Sequence, residues 1–288
     1  MPSFTHILFP VDFSTRCEAA VPFVNDMARR NRAKVTLISV AYPYYPAVME
    51  APLIDPQELL QELKSTLDAT YTGCFQGLQV NRIAMLGEPA AEITGWAHAN
   101  GVDLVMMPSH GYGPFRQLLL GSVTAKVLHD AKCPVWTTAH TGAAPDRQHL
   151  ALKKILCAVD GTLERTGESA RVMRFAASLG EDLGASVRLV NVVPGVEAWP
   201  ERQMDIEFEE QLRENAKQRM QELQASIKIE GPFCVAVGPV ADSVAEEAER
   251  HGADLLVIGR GAIHETLGRL RTHAYGLIRL SPCPVLSV

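Results

Sequence analysis

The residues of this sequence that are best suited to chemistry lie in a loop that combines glycines with a serine and a histidine. The segment PSHGYG at 108–113 follows an apolar run, and nine residues separate its first glycine, Gly111, from Gly121 and Ser122. Glycine lets a backbone approach an anion closely, and a serine at a helix N-cap adds a hydroxyl to the free N–H groups there. The pattern fits a phosphate cradle, and it fits a glycine turn before an ordinary N-cap equally well.

A carboxylate follows the first apolar run of the chain. Asp12 lies in the segment PVDFS at 10–14, directly after HILF at 6–9. In an open parallel sheet, ligands bind outside the carboxyl ends of the strands, which is where this side chain falls. Asp12 therefore either accepts hydrogen bonds from a ligand or helps to cap the helix that follows, and its position alone does not decide between these roles.

Other kinds of active site have little support. The chain has no GKS or GKT phosphate loop and no GxGxxG after its first strand, which argues against P-loop NTPases and ordinary dehydrogenases. Ser109 and His110 are adjacent and lack an identifiable carboxylate partner, so no catalytic triad is expected. His264 and Glu265 lack the second histidine of a zinc protease motif, and the 6 cysteines form no CxxC pair. We therefore predict no catalytic residue and no metal ligand.

Length, charge and hydropathy define the broad class. The 288 residues, 47% of them hydrophobic, are typical of about two globular domains. The net charge is −6 and neither half is basic, so nucleic-acid binding is not expected. We find neither an uninterrupted apolar run long enough to span a membrane nor a signal-peptide pattern at the start. These features predict a cytoplasmic protein without a membrane partner.

The sequence segments that position these loops occur as an internal repeat. HILFPVD at 6–12 returns as KILCAVD at 154–160, and GVDLVMM at 101–107 returns as GADLLVI at 252–258. VTLISV at 35–40 and CPV at 133–135 also return, in the same order, after about 150 residues. The sequence therefore predicts two copies of one domain, at 1–140 and 152–288, joined by a linker-like segment.

Each copy alternates short apolar runs with helical patterns. In the first copy we predict strands near 5–9, 35–40, 79–85, 103–107 and 134–138, and helices near 15–31, 56–71, 89–100 and 122–131. Wholly apolar runs such as LVMM and LLVI suit strands that are covered on both faces of a parallel sheet. The predicted fold is a doubly wound α/β sandwich in each copy.

The combination of a strand-end Asp, SHG after the fourth strand, Gly-Ser after nine intervening residues and a CPV strand resembles the universal stress protein family. The resemblance covers nearly the whole chain and implies a tandem pair of universal stress protein domains. It implies two five-stranded parallel sheets, Rossmann-like and similar to adenine-nucleotide alpha hydrolases, packed as a pseudo-dimer. In the family, the last strands of two such domains pair antiparallel; here these are 135–138 and 285–288.

The family's nucleotide-binding branch carries G-x2-G-x9-G-[S/T] and holds ATP or a related adenine nucleotide. The resemblance places adenine near Asp12 and Val40 and the ribose and phosphates along 107–111 and Gly121–Ser122, with Mg²⁺ as a candidate companion ion. The residues that it implies for binding are Pro10, Asp12, Val40, Met107, Pro108, Gly111, Gly121, Ser122 and Val123.

Both copies depart from this motif. Pro108 replaces the first glycine, and because proline has no N–H it either abolishes that contact or leaves a site that relies on the later glycines. In the second copy Gly259 is kept, whereas Ala262 and Arg271 replace glycines and Thr272 follows, so we expect a degenerate site. A basic group there either binds another anion or forms a solvated or interdomain face; it consists of Arg260, Arg269, Arg271 and His273.

The resemblance implies a stress-response sensor or regulator that binds an adenine nucleotide mainly in its first domain. It also implies association of two chains into a four-domain homodimer, acting on a protein partner that the sequence does not identify. Two alternatives remain: a nucleotide-free dimerisation or chaperone-like module, which follows from Pro108 and the altered second motif, and a slow ATPase, which follows from fold analogy alone.

Overall fold

The first half of the chain alternates strands and helices as predicted. The computed structural model describes residues 4–42, 55–109, 120–139, 152–162, 166–193, 206–260 and 272–288. The strands of the first half are β1 (His6–Pro10), β2 (Lys34–Ala41), β3 (Val80–Leu86), β4 (Leu104–Met107) and β5 (Val135–Thr137). Its helices are α1 (Thr15–Asn31), α2 (Pro56–Ala69), α3 (Pro89–Ala99) and α4 (Ser122–Asp130). The predicted and observed ends differ by at most two residues.

The second half repeats this order. Its strands are β6 (Lys154–Ala158), β7 (Ser186–Val193), β8 (Phe233–Val237), β9 (Leu255–Ile258) and β10 (Val285–Ser287). Its helices are α5 (Thr166–Leu183), α6 (Ile206–Ile227), α7 (Val240–His251) and α8 (Thr272–Leu280). The chain divides into an N-terminal unit, mainly residues 3–136, and a C-terminal unit, mainly residues 147–288. The predicted boundaries at 140 and 152 and the pseudo-dimer packing stay predictions.

The two units share one strand order. In the N-terminal unit the order is β3-β2-β1-β4-β5, and in the C-terminal unit it is β8-β7-β6-β9-β10. The first strand of each unit pairs in parallel with the second and fourth strands. The order therefore reverses at the central strand, where the loops after β1 and β4, or β6 and β9, meet at one edge of the sheet.

Three inner strands are buried along their whole length. Every residue of β1, β4 and β9 is buried. Because successive strand residues point to opposite faces, unbroken burial means that both faces of the sheet are covered. This confirms the doubly wound sandwich that the wholly apolar runs predicted.

One aspartate in each unit fastens the start of the central strand. The Asp103 carboxylate accepts hydrogen bonds from the backbone N–H groups of Thr5 (2.7 Å) and His6 (3.0 Å). Asp254 accepts in the same way from Lys153 (2.8 Å) and Lys154 (2.9 Å). The repeated Asp-Leu pair at the start of the fourth strand thus holds the first strand in register beside it.

The side chains near the start of the central strand differ between the two units. In the N-terminal unit, His6 lies edge-on to Trp96, with ring centroids 5.7 Å apart, and its Nε2 lies 2.9 Å from Thr36 Oγ1. Its Nδ1 lies 3.2 Å from the Asn100 carbonyl. Burial and the nearby Lys34 ammonium lower the pKa of His6. The neutral imidazole is therefore the form that suits this site.

The C-terminal unit places an ion pair in the corresponding region. Glu247 on α7 is only 5% exposed, and its Oε1 lies 3.4 Å from Arg188 Nε on β7. Arg250 pairs with the other carboxylate oxygen. Burial and the positive charge of Arg188 lower the pKa of the neighbouring His251.

A close contact between α5 and β7 depends on a glycine. A Cβ atom at Gly180 would overlap the Val187 side chain and lie 3.1 Å from the Ala185 carbonyl oxygen. The helix therefore approaches the strand more closely than any other residue type would allow.

Candidate functional site

A cavity of about 420 Å³ opens at the reversal of strand order in the N-terminal unit. Its walls come from the ends of β1, β2 and β4 and from the starts of α1, α3 and α4, which is the position expected for a ligand in this fold. The lining residues are Pro10, Val11, Asp12, Phe13, Cys17, Ile38, Ser39, Val40, Leu63, Pro89, Ile93, Met107, Pro108, Gly121, Ser122, Val123 and Thr124.

Asp12 stands at the end of β1 with its carboxylate held from one side. Its Oδ1 accepts hydrogen bonds from the Ser14 backbone N–H (3.0 Å) and the Cys17 thiol (3.0 Å). Ser14 is itself the N-cap of α1, since its side chain accepts from the Cys17 N–H. Within the described ranges, Oδ2 of Asp12 accepts no hydrogen bond and lies on an exposed residue. Asp12 thus supports the cap of α1 and still offers an acceptor to a ligand.

Cys17 is a lining residue that the sequence analysis missed. Its thiol also points at the Pro10 carbonyl oxygen, 3.7 Å away. Burial and the Asp12 carboxylate raise the pKa of this thiol to about 12, so it stays protonated and acts as a hydrogen-bond donor. Only its spacing from Asp12 along the start of α1 could have indicated this contact.

The start of α4 forms the opposite end of the cavity. The helix begins at Ser122, and Gly121 is its N-cap, with an extended backbone (φ −60°, ψ 140°) and no capping side chain. The prediction that Ser122 is the N-cap is therefore wrong by one residue, because the Gly121 carbonyl already accepts the first helical bond, from Ala125 N–H at 2.8 Å. The N–H groups of the first turn have no side-chain cap, and such groups favour an anion.

Two hydrogen bonds join this helix start to the end of β4. Thr124 Oγ1 donates to the Pro108 carbonyl oxygen at 3.1 Å, and the Gly121 N–H donates to the Ser109 carbonyl oxygen at 3.0 Å. Pro108 also lines the cavity. Pro108 thus contributes its carbonyl to the scaffold, although it has no N–H to give to a ligand.

Apolar side chains form the middle of the cavity. Val40 at the end of β2 faces the same space as Ile38, Ile93 and Met107. Such walls suit a flat heteroaromatic ring, whose orientation is then set by a few polar groups at its edge. The arrangement combines an apolar slot, a carboxylate acceptor at one end and uncapped N–H groups at the other.

Eight of the nine residues implied by the resemblance line this one cavity; they are Pro10, Asp12, Val40, Met107, Pro108, Gly121, Ser122 and Val123. The ninth, Gly111, lies outside the described residues, as do Ala262 and Arg271 of the second motif. Of the second motif, Gly259 follows β9 and Thr272 is the first residue of α8. Whether these residues contact a nucleotide stays a prediction.

The described residues contain no group of three or more His, Cys, Asp or Glu side chains that could hold a metal ion. Across the same ranges, we find no helix with the length and apolar character needed to cross a membrane.

Comparisons with known proteins agree on one family. The model of the "Universal stress protein family" matches residues 3–138 and again 151–288. A universal stress protein of Methanocaldococcus jannaschii is 27% identical over 150 residues, covering 46% of this chain and 93% of its own length. One of Bacillus subtilis is 24% identical over 143 residues, covering 46% of this chain and 97% of its own length. The crystal structure of a universal stress protein from Archaeoglobus fulgidus aligns over 99% of this chain and 96% of that chain, with 21% identity and a TM-score of 0.68.

Proposed function

This chain belongs to the universal stress protein family, and from that premise we propose that its N-terminal unit binds an adenine nucleotide of the ATP type and thereby acts as a sensor or regulator in a stress response. The observation that carries the proposal is the cavity in which an apolar slot lies between the Asp12 carboxylate and the uncapped N-terminus of α4.

The Asp12 end of the cavity suits the base. Adenine carries an exocyclic amino group, which is a hydrogen-bond donor, and Asp12 Oδ2 is an exposed acceptor beside the apolar wall that Val40 and Ile38 form. The Ser14 N–H and the Cys17 thiol fix Oδ1, so the carboxylate is oriented before a ligand arrives. A preoriented acceptor loses little conformational entropy on binding.

The α4 end suits the phosphates. The backbone N–H groups of Ser122 and Val123 are free of side-chain caps, the Ser122 hydroxyl is exposed, and the helix dipole adds partial positive charge there. Gly121 has no side chain to obstruct the approach. Because Pro108 has no N–H, this phosphate site has one backbone donor fewer, and the N–H groups at the start of α4 remain.

The sensor role belongs to the proposal through the family resemblance. The proposal is binding rather than turnover, with any ATP hydrolysis slow. A cytoplasmic location, a homodimer and a protein partner belong to the proposal through the family resemblance.

Calorimetric titration of the purified full chain with ATP and Mg²⁺ tests the proposal. Before the titration, mass spectrometry of the denatured protein identifies any nucleotide carried through purification. We expect about one site per chain and its loss in the Gly121→Arg variant, because the arginine side chain fills the approach to α4. Gly95→Arg is the matched control, since Gly95 is an exposed position of α3 at which a Cβ atom would meet no other atom within 4 Å.

Equal ATP binding by Gly121→Arg and the wild type would refute the assignment of the site. No binding and no carried nucleotide would refute nucleotide binding altogether and favour the dimerisation or chaperone-like module.

A further inference from the structure

Phe13 is the one aromatic residue among the described residues that line the N-terminal cavity. It follows Asp12 directly, so it belongs to the end of the cavity that offers the carboxylate, and it is half-buried. The other apolar lining residues at this end are aliphatic or proline, such as Pro10, Ile38 and Val40. Aromatic rings prefer to pack against other rings through their faces, so Phe13 brings to this cavity a chemistry that the aliphatic walls lack.

The backbone of Phe13 is strained. Its φ is +60°, in the left-handed region that residues with a bulky side chain rarely adopt. On one side, the Val11 N–H donates to the Ile38 carbonyl at 2.8 Å. On the other, the Ser14 N–H donates to Asp12 Oδ1 at 3.0 Å. Phe13 is therefore held in a costly conformation by contacts on both sides, which is a common property of residues in functional sites.

The C-terminal unit leaves its corresponding strand without this strain. The strand end is held by the same hydrogen bond, from the Val159 N–H to the Val190 carbonyl at 2.9 Å. Gly161 then stands at the position of Phe13, because Asp160 matches Asp12 in the repeat. The backbone of Gly161 lies outside the left-handed region, although glycine would adopt it freely. A left-handed residue after this aspartate is therefore not a requirement of the fold.

The two units also fill the space beside this position differently. In the C-terminal unit, Asn191 Nδ2 donates to the Val159 carbonyl at 2.9 Å, and a Cβ atom at Gly161 would lie 2.9 Å from that nitrogen. By strand register the matching residue of β2 is Ser39, which is smaller and lines the N-terminal cavity. The N-terminal unit therefore has room for a side chain that the C-terminal unit excludes.

We propose that Phe13 supplies the aromatic face on which the base of the bound nucleotide stacks, and that this stacking gives the site a preference for purine over pyrimidine bases. The inference rests on the proposed function and goes beyond it, because a hydrogen bond to Asp12 does not separate the two classes. Adenine and cytosine both carry an exocyclic amino group that can donate to this carboxylate. The purine has the larger ring system and gains more from stacking on an aromatic side chain.

Calorimetric titration of the full chain with ATP and with CTP, each with Mg²⁺, tests the inference. Phe13→Leu keeps an apolar side chain and removes the aromatic face, so we expect ATP binding to weaken by about tenfold and CTP binding by about threefold or less. Phe13→Tyr keeps the ring and should bind ATP within about twofold of the wild type. Circular dichroism verifies that both variants are folded. Phe23→Leu is the matched control, since Phe23 is a half-buried ring on α1 that packs against Trp136 and is not among the residues lining the cavity.

A second measurement detects the contact without relying on a variant. In the ATP-saturated wild type, we expect nuclear Overhauser effects between the adenine ring protons and the ring of one phenylalanine, and their loss in Phe13→Leu. The inference is overturned by the absence of such effects in the wild type, by unchanged ATP affinity in Phe13→Leu, or by equal weakening of ATP and CTP. Wild-type chain that binds CTP as tightly as ATP would also overturn it. Failure of the proposed function gives a different result, namely wild-type chain that binds neither nucleotide.

Discussion

Thr124 tests how the start of α4 is held against the end of β4. Its Oγ1 donates to the Pro108 carbonyl at 3.1 Å, and Thr124 is only 3% exposed. Thr124→Val keeps the shape of the side chain and removes the donor. The loss of one hydrogen bond costs about 1 kcal/mol and leaving a buried carbonyl unpaired costs about 1–3 kcal/mol, so we expect the free energy of unfolding to fall by about 2 kcal/mol.

The assay is urea denaturation followed by tryptophan fluorescence, which favours the N-terminal unit because two of the 3 tryptophans, Trp96 and Trp136, belong to it. With a slope of about 1.5 kcal/mol per molar urea, a loss of ~2 kcal/mol lowers the midpoint by about 1.3 M. Thr124→Ser keeps the hydroxyl and should lose less than Thr124→Val. Thr66→Val is the matched control, because Thr66 is exposed on α2 and bonds only within its own helix.

A Thr124→Val midpoint equal to that of the wild type would refute the reasoning, since the hydrogen bond would then add nothing to the anchoring of α4. A Thr124→Ser variant as unstable as Thr124→Val would assign the effect to the methyl group instead.

Three further changes probe the scaffold. The pKa of His6 is lowered in the folded state, so the neutral side chain's contribution to stability is present above about pH 6.5 and is lost as the pH falls through the lower folded pKa. His6→Gln should therefore flatten the fall of the urea midpoint with decreasing pH. The same dependence of the midpoint on pH in the variant and the wild type would contradict this. Gly180→Ala should lower the free energy of unfolding by about 1–3 kcal/mol through overpacking, as measured by thermal unfolding. Gly167→Ala on the same helix should not, because a Cβ atom there would meet open space. A Gly180→Ala variant as stable as the wild type would show that β7 moves to make room for the methyl group. Glu247→Gln should lower the free energy of unfolding by about 2 kcal/mol, because it leaves the charge of Arg188 without its partner. A free energy of unfolding, from urea denaturation, within ~0.5 kcal/mol of the wild-type value would show that this ion pair is solvated.

The sequence predicted the elements well because their signals are local. LVMM at β4 and LLVI at β9 are apolar at every position, which only a strand covered on both faces requires. The repeat then supplied each signal twice. Proline at the first position of α3 marks that helix start in the same local way.

What the sequence could not predict depends on geometry between elements. The backbone angles of Gly121 decide whether Gly121 or Ser122 is the N-cap of α4, because both residue types are common near helix starts. The hydrogen bond from the Cys17 thiol to Asp12 joins a helix to a strand end across space. The approach of the Glu168 side chain to Gly259 does the same in the C-terminal unit.

The place of β1 at the centre of its sheet has a consequence for synthesis. This strand is synthesised long before its hydrogen-bonded neighbour β4, which starts at Leu104. The Asp103 carboxylate likewise accepts hydrogen bonds from residues 97 and 98 positions earlier. A nascent chain that stops before β4 therefore exposes a largely apolar strand with one unpaired edge, a form prone to aggregation. The same delay recurs between β6 and β9, so each half of the growing polypeptide passes through its own vulnerable period before its central strand is enclosed.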